Sequence, residues 1–322
     1  MENQRMKLLV ASAEGEAFFD LLNDVPDLEI VYASTPDEMM THAADVDVIY
    51  AKPTPEFLAA APKLRWVQAP SAGVDFLMTF PDLVESDLIL TNTRGAHGPS
   101  IAEHVFGLLL SLTRAIPTCL KWQADRQWNR NQQTYRLPRE VMGATMGIIG
   151  FGAIGRNVAK RALAFDMNVL AVDAVACDGA PYCEEVWATE RLQDMLAASD
   201  VVVVAAPYTK ETHHLLSTAE IAAMKPDAYL IVVSRGGIVD EDALATAMQA
   251  GHLAGAGIDV TEREPLPADS PLWELPNVIL TPHLAGSSFQ KERRCVEVLR
   301  ENLLRFGRGE PLINVVDKRA GY

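Results

Sequence analysis

A chain of 322 residues holds more sequence than one core needs, and its 49% hydrophobic and 22% charged residues fit two ordinary globular domains. A formal net charge of −15 repels phosphate backbones and anionic membrane surfaces, which argues against nucleic acid and bilayers as partners. The cysteines Cys119, Cys177, Cys183 and Cys295 form no C-x-x-C pair, no metal-ligand spacing is visible and no apolar run can cross a bilayer, so a reduced, cytoplasmic setting is expected.

The chain alternates between short apolar runs and helical patterns. KLLVAS (7–12) reads as a first strand and EAFFDLLNDV as a helix. LEIVYAS, a helix around 36–43 and VDVIYAK repeat the pattern. LRWVQAPSAGVD (64–75) reads as strand then turn, and DLILTNTRGA (87–96) as strand then loop. Such alternation predicts βαβ units and a parallel sheet. One long helix is then expected over SIAEHVFGLLLSLTRAIPTCLKWQAD, with Ser100 as N-cap and Glu103 closing a capping box. Its apolar content suggests burial between domains or against a second subunit. Residues 126–144 are polar and irregular.

A second series starts at ATMGIIG and continues through NVLAVD, DVVVVAAP, AYLIVVS, AGAGIDV and NVILTPH. Helices are predicted between most of them, at about 155–166, 189–199, 217–224 and 240–250. The fold class is therefore α/β, with two doubly wound parallel-sheet domains. The second spans 100–287. The first is discontinuous, 1–99 plus 288–322: a helix near 288–306 leads to EPLINVV, which is expected to return to the first sheet because the second is already complete.

MGIIGFGAIG (146–155) places Gly150, Gly152 and Gly155 at the spacing G-x-G-x-x-G, between a predicted strand and a predicted helix. In that context the first glycine permits a tight turn, the second lets a pyrophosphate approach the backbone and the third lets the helix pack on the strand. The helix N-terminus supplies free N–H groups and a positive dipole end. NVLAVD ends in Asp173, where a carboxylate can accept hydrogen bonds from an adenosine ribose. With no arginine beside it, a 2′-phosphate is unwelcome, so NAD is expected rather than NADP.

Ligands of open α/β sheets lie at the carboxyl ends of the strands. Three side chains are placed there: Arg235 after AYLIVVS, Glu264 in TEREP after AGAGIDV, and His283 after NVILTP. A planar guanidinium can grip a carboxylate or keto-acid oxygen through two parallel N–H bonds. An imidazole changes charge near neutrality, so it can give a proton to a developing alkoxide or take it back. A glutamate can hold one imidazole nitrogen and orient the ring. Each residue alone has an ordinary surface reading; it is their joint arrival on the rim of a dinucleotide fold that points to catalysis.

SAGVD (71–75), GFGAIG (150–155), SRGGIVDEDAL (234–244), AGIDVTEREPLP (256–267), LPNVILTPHLAG (275–286) and PLINVV (311–316), in this order, resemble the D-isomer-specific 2-hydroxyacid dehydrogenase family over nearly the whole chain. The resemblance implies two Rossmann-like domains and hydride transfer between NAD(H) and a 2-keto acid or D-2-hydroxy acid. It implies Arg235 as substrate anchor, His283 as acid–base, Glu264 as its partner, and the amides of Ala72, Gly73 and Val74 as receivers of the substrate carboxylate. For the cofactor it implies Gly150, Gly152, Ala153, Ile154, Gly155, Asp173, Pro207, Thr212, Ser234, His283 and Gly286, with Asp259 at the nicotinamide carboxamide. Glu264 points away from the family's formate dehydrogenases, which carry glutamine there. Hinge closure of a cleft between the domains and a homodimer are implied too. Glyoxylate or hydroxypyruvate is the expected substrate; a phosphoglycerate-type reaction is less expected because no regulatory domain follows residue 322. The alternative is a non-catalytic NAD(H)-sensing binding protein similar to the family's corepressors.

Other residues have blander readings. Arg94 and His97, in TNTRGAHGPS, are expected at the hinge or at a second acidic group of the substrate. His104 reads as a packed or hydrogen-bonded helix residue. His213, His214 and His252 lack metal-ligand partners at useful spacing. Asp240, Glu241 and Asp242 read as an anion-favouring helix N-terminus, and Trp122 and Trp128 as packing residues.

Overall fold

The structure is a computed structural model and describes residues 5–11, 16–131, 133–134 and 137–321. Ser12, expected to end the first strand, lies outside the described residues. The chain divides into two compact units, Met1–His97 with Ser288–Tyr322, and Gly98–Ser287.

In the first unit the strands are β1 (Met6–Val10), β2 (Leu28–Tyr32), β3 (Val48–Tyr50), β4 (Trp66–Gln68) and β5 (Ile89–Thr91). All pair in parallel, in the order β2-β1-β3-β4-β5. Side chains alternate along a strand, so each strand feeds two cores. Leu8 and Val10 pack with Trp66 and with Val296, Leu299 and Leu303 of the helix Phe289–Arg308; Leu9 packs on the opposite face with Ile49, Phe57 and Val67. Both faces are covered, and that is why these strands read as unbroken apolar runs. The segment after the last helix lies against β5: Val315 bridges Thr91 in antiparallel sense, and Val316 N donates to Leu90 O at 2.9 Å.

The second unit holds β6 (Thr145–Ile149), β7 (Asn168–Val172), β8 (Cys177–Ala180), β9 (Cys183–Trp187), β10 (Val201–Val204), β11 (Tyr229–Val232), β12 (Gly255–Ile258) and β13 (Val278–Leu280). The order is β13-β12-β11-β10-β6-β7-β9-β8, parallel except for β8 against β9. Successive strands are thus added in opposite directions on either side of the β6–β10 pair, the switch point at which a doubly wound sheet opens a ligand crevice. Met146, Ile148, Val201 and Val203 face one core; Ile149, Val202 and Val204 face the other.

Several predicted elements differ. The expected long helix is two, Gly98–Thr113 and Ile116–Ala124, broken at Ala115, whose φ of 56° is left-handed; Pro117 then opens the second helix. Ser100 is not the N-cap. The helix begins two residues earlier, the Ser100 hydroxyl donates to Gly286 O at 3.3 Å, and Glu103 instead pairs with Arg161. The apolar content of Gly98–Thr113 is absorbed inside its own unit, where Ile101, Val105, Leu108 and Leu109 join the core beside β6 and β10. The stretch expected as a helix after β1 is a short 3-10 helix, Glu16–Leu22. The β8–β9 hairpin was not foreseen.

Candidate active site

The glycine turn follows β6 at the switch point. Gly150 has φ 90°, and a Cβ there would sit 2.5 Å from Ala206 N. A Cβ on Gly155 would sit 2.2 Å from Gly150 O, so this glycine lets the helix Ala153–Ala164 close on the strand. A Cβ on Gly152 would meet nothing within 4 Å. That open space lies at the N-cap of the helix, whose first residues Ala153 and Ile154 present unsatisfied N–H groups. The three glycines thus have three different reasons, and the free one is where a pyrophosphate needs room.

Asp173 follows β7. Its Oδ2 accepts from Phe151 N at 2.6 Å and its Oδ1 from Val175 N at 3.2 Å, so the carboxylate ties its own loop to the glycine turn. A carboxylate offers about four acceptor sites, which leaves some for ribose hydroxyls. After β10, Thr212 Oγ1 donates to Pro207 O at 2.8 Å and closes that loop. Ser234, after β11, is 5% exposed, and its Oγ has no hydrogen-bond partner among the described residues. A buried hydroxyl without a partner is costly, so it is a candidate group for a ligand to satisfy. The open cradle at Gly152, the Asp173 carboxylate and this hydroxyl all fit a dinucleotide laid across the strand ends.

Arg235 is half-buried, with Nη1 donating to Ser234 O at 2.6 Å. Its turn continues through Gly236, where a Cβ would fall 1.9 Å from Thr261 O. The turn after β11 therefore packs directly on the loop after β12, which carries Glu264. In that loop Thr261 N donates to Glu264 Oε1 at 3.2 Å, and Glu262 N donates to Glu241 Oε1 at 2.5 Å. Glu264 Oε2 lies 2.8 Å from Nδ1 of His283, which follows β13. His283 has φ 53°, left-handed for a non-glycine residue, and its side chain is 47% exposed. With Nδ1 engaged, Nε2 is the atom that can exchange a proton with a ligand.

Asp259 directly follows β12 and is 2% exposed. Its Oδ1 accepts from Thr281 Oγ1 at 2.6 Å and Leu284 N at 2.8 Å, and its Oδ2 from Ala285 N at 2.9 Å. It thus holds the loop around His283, with one acceptor site of its carboxylate still to spare. Thr281 and Gly236 were not singled out in the sequence, and Glu241 was read there only as part of an anion-favouring helix N-terminus. The threonine two residues before His283 and the paired glycines after Arg235 were the available signals.

In the first unit the loop after β4 is fixed from its neighbour. Asn92 Nδ2 donates to Ala72 O at 2.8 Å, and Ser71 Oγ to Gly73 O at 2.7 Å. Among the described residues of this unit, none of the Ala72, Gly73 and Val74 amides donates a hydrogen bond. Arg94 is exposed, while His97 Nε2 sits 3.1 Å from Thr93 Oγ1.

A sequence profile described as "D-isomer specific 2-hydroxyacid dehydrogenase, NAD binding domain" matches residues 106–285. The chain belongs to the D-isomer-specific 2-hydroxyacid dehydrogenase family. It is 33% identical to the glyoxylate reductase of Thermofilum pendens over 88% of this chain and 84% of that protein. It superposes with a TM-score of 0.86 on a D-isomer specific 2-hydroxyacid dehydrogenase family protein from Aeromonas salmonicida, 35% identical over 98% of this chain and 99% of the other. It is 26% identical, with a TM-score of 0.83, to an NADPH-dependent glyoxylate/hydroxypyruvate reductase from Sinorhizobium meliloti, over 98% of this chain and 100% of that one. As a member of the family, the protein is an oxidoreductase that couples a nicotinamide cofactor to 2-keto and 2-hydroxy acids, and the residues matched by the NAD binding domain profile lie within its second unit. The reading as a non-catalytic sensor is not favoured.

Proposed function

We propose that this protein is an NADH-dependent reductase of a small 2-keto acid such as glyoxylate or hydroxypyruvate, with His283 as proton donor. The 2.8 Å pairing of His283 Nδ1 with Glu264 carries the reading, because it orients the ring and commits Nε2 to the substrate. A nicotinamide held by these residues would supply a hydride for C2 of the keto acid. His283 Nε2 delivers the proton to the carbonyl oxygen, and Glu264 stabilises the ring in either protonation state. Arg235 holds the substrate carboxylate and polarises the keto group. The amides of Ala72, Gly73 and Val74, in the first unit, are the second carboxylate receptor.

The cofactor set is Gly150, Gly152, Ala153, Ile154 and Gly155 for the pyrophosphate, Asp173 for the adenosine ribose, and Pro207, Thr212, Ser234 and Gly286 along the strand ends. Asp259 offers its remaining acceptor site to the carboxamide. Asp173 supports NADH over NADPH, since a 2′-phosphate would meet a carboxylate. The name of the Thermofilum relative supports glyoxylate as substrate. The domain roles follow: residues 1–97 and 288–322 bind substrate, and 98–287 bind cofactor.

A homodimer is supported by the helix Ile116–Ala124, in which no residue is buried, and by Leu120 and Trp128, 58% and 93% exposed. A cytoplasmic location is supported by four free cysteines. The test is a panel of glyoxylate, hydroxypyruvate, pyruvate and bulkier keto acids with NADH and NADPH in parallel. Turnover of the smallest acids with NADH is expected. Absence of NADH oxidation across the panel overturns the reading.

A further inference from the structure

His104, Thr281 and Asp259 come from three separate elements and meet behind the loop of His283. His104 lies in the helix Gly98–Thr113, Asp259 directly follows β12 and Thr281 directly follows β13. We propose that His104 and Thr281 are positioning residues for His283, acting through Asp259; this rests on the acid–base reading of His283.

The direction of each bond follows from a proton count. A threonine hydroxyl has one proton, and the ionised carboxylate of Asp259 can only accept. Thr281 Oγ1, 2.6 Å from Asp259 Oδ1, therefore donates to it. His104 Nε2, 2.9 Å from the same hydroxyl oxygen, can then only donate. His104 accordingly carries a proton on Nε2, which also lies 3.5 Å from Asp259 Oδ1. Among the described residues this is the one group within 4.0 Å of that carboxylate that can bear positive charge. The Asp259 side chain is 1% exposed, so water does little to hold its charge.

The other side of the carboxylate faces the catalytic loop. It accepts from the amides of Leu284 and Ala285, the two residues after His283, while His283 N donates to Asp259 O at 2.8 Å. One residue thus grips the loop on both sides of His283, whose left-handed backbone persists only where its surroundings over-determine it. Thr281 and His104 fix where the gripping carboxylate points. Take away the hydroxyl, or the Nε2 proton that orients it, and Asp259 can turn. The imidazole then leaves the place where its proton is useful; the cofactor loses at most its carboxamide contact with Asp259, while the glycine turn and Asp173 are untouched.

Four variants test this. Thr281→Val keeps the shape and removes the hydroxyl; Thr281→Ser keeps the hydroxyl. His104→Leu removes the donor; His104→Gln keeps one. Thr281→Val and His104→Leu are each expected to lower kcat for keto-acid reduction about tenfold or more. NADH affinity, measured by fluorescence titration, should stay within about threefold. Thr281→Ser and His104→Gln should recover most of the rate. Combined with His283→Ala, Thr281→Val should cost no more than about twofold further, because its effect passes through the missing ring.

The proposal is overturned if Thr281→Val and His104→Leu leave kcat unchanged. It is equally overturned if they reduce NADH affinity and kcat in parallel, or if Thr281→Val costs its full factor without His283. His104→Leu reports from the far end of the chain of bonds, so the test survives if Thr281→Val does not fold. Near-normal turnover of His283→Ala alone sinks the acid–base reading instead, and the two failures are told apart.

Discussion

Nδ1 of His283 and Oε2 of Glu264 are 2.8 Å apart, although they sit on different loops 19 residues apart in the chain. The pairing commits one ring nitrogen and leaves the other for chemistry. His283→Ala is expected to lower kcat about 10²- to 10⁴-fold, the usual worth of a positioned acid–base group. Glu264→Gln should cost less, because glutamine still reaches Nδ1 but carries no charge. Steady-state NADH oxidation with glyoxylate, beside NADH binding by fluorescence, checks both: turnover falls and binding stays.

The glycine turn separates two kinds of defect. Gly152→Ala places its Cβ in open space at φ −77°, so the fold should melt close to wild type while NADH affinity drops. Gly155→Ala drives its Cβ into the Gly150 carbonyl, where only backbone can yield. A loss of about 1–3 kcal/mol of stability is expected there. Thermal melts with and without NADH distinguish the pair.

Cofactor choice should turn on Asp173. Replacing it with serine removes a charged acceptor from the ribose site, and a charged hydrogen bond is worth about 1.5–3 kcal/mol. The kcat/KM for NADH is therefore expected to fall about 10- to 100-fold, and the NADPH/NADH ratio to rise. An unchanged ratio would remove Asp173 from the ribose site.

Glu241 should make stability depend on pH. Burial pushes its carboxyl above the usual range, and the charges of Glu262, Asp242 and Glu264 push the same way, against the hydrogen bond from Glu262 N. The folded protein thus holds this proton more tightly than the unfolded chain does. Its contribution is full at acid pH and is lost as pH rises through the raised value. Glu241→Gln keeps an oxygen for Glu262 N and cannot ionise. It should melt higher than wild type at pH 7, and the gain should vanish below about pH 4.

Leu120→Glu with Trp128→Ser places charge and polarity on the exposed apolar helix and the segment after it. The mass in solution, by light scattering, is expected to fall to that of one chain with the melting temperature little changed. A wild type that is already monomeric removes the dimer proposal.

Much of this was legible in the sequence, for identifiable reasons. The central strands, such as β3, β6, β10, β11 and β12, are buried on two faces and so appear as uninterrupted apolar runs. Gly150, Asp173, Arg235, Glu264 and His283 could be placed because each falls just after such a run. The break at Ala115 was hidden, since nothing local marks alanine for a left-handed backbone; only Pro117 hinted at it. The β8–β9 hairpin was missed because CDGA and CEEVW lack strict alternation. The grip of Asp259 on the His283 loop and the link from His104 to Thr281 join residues up to 177 apart in the chain, and no window of sequence shows them.

The antiparallel bridge of Val315 to Thr91 bears on the order in which this protein can assemble. The segments that complete the first sheet and one of its cores leave the ribosome only after all of residues 98–287. The second unit is uninterrupted in sequence and can reach its native form while β1 to β5 still wait for the helix Phe289–Arg308. For much of its synthesis, then, the earlier-made part of the first unit has an uncovered apolar face, and that nascent stage is where a chaperone would find most to hold.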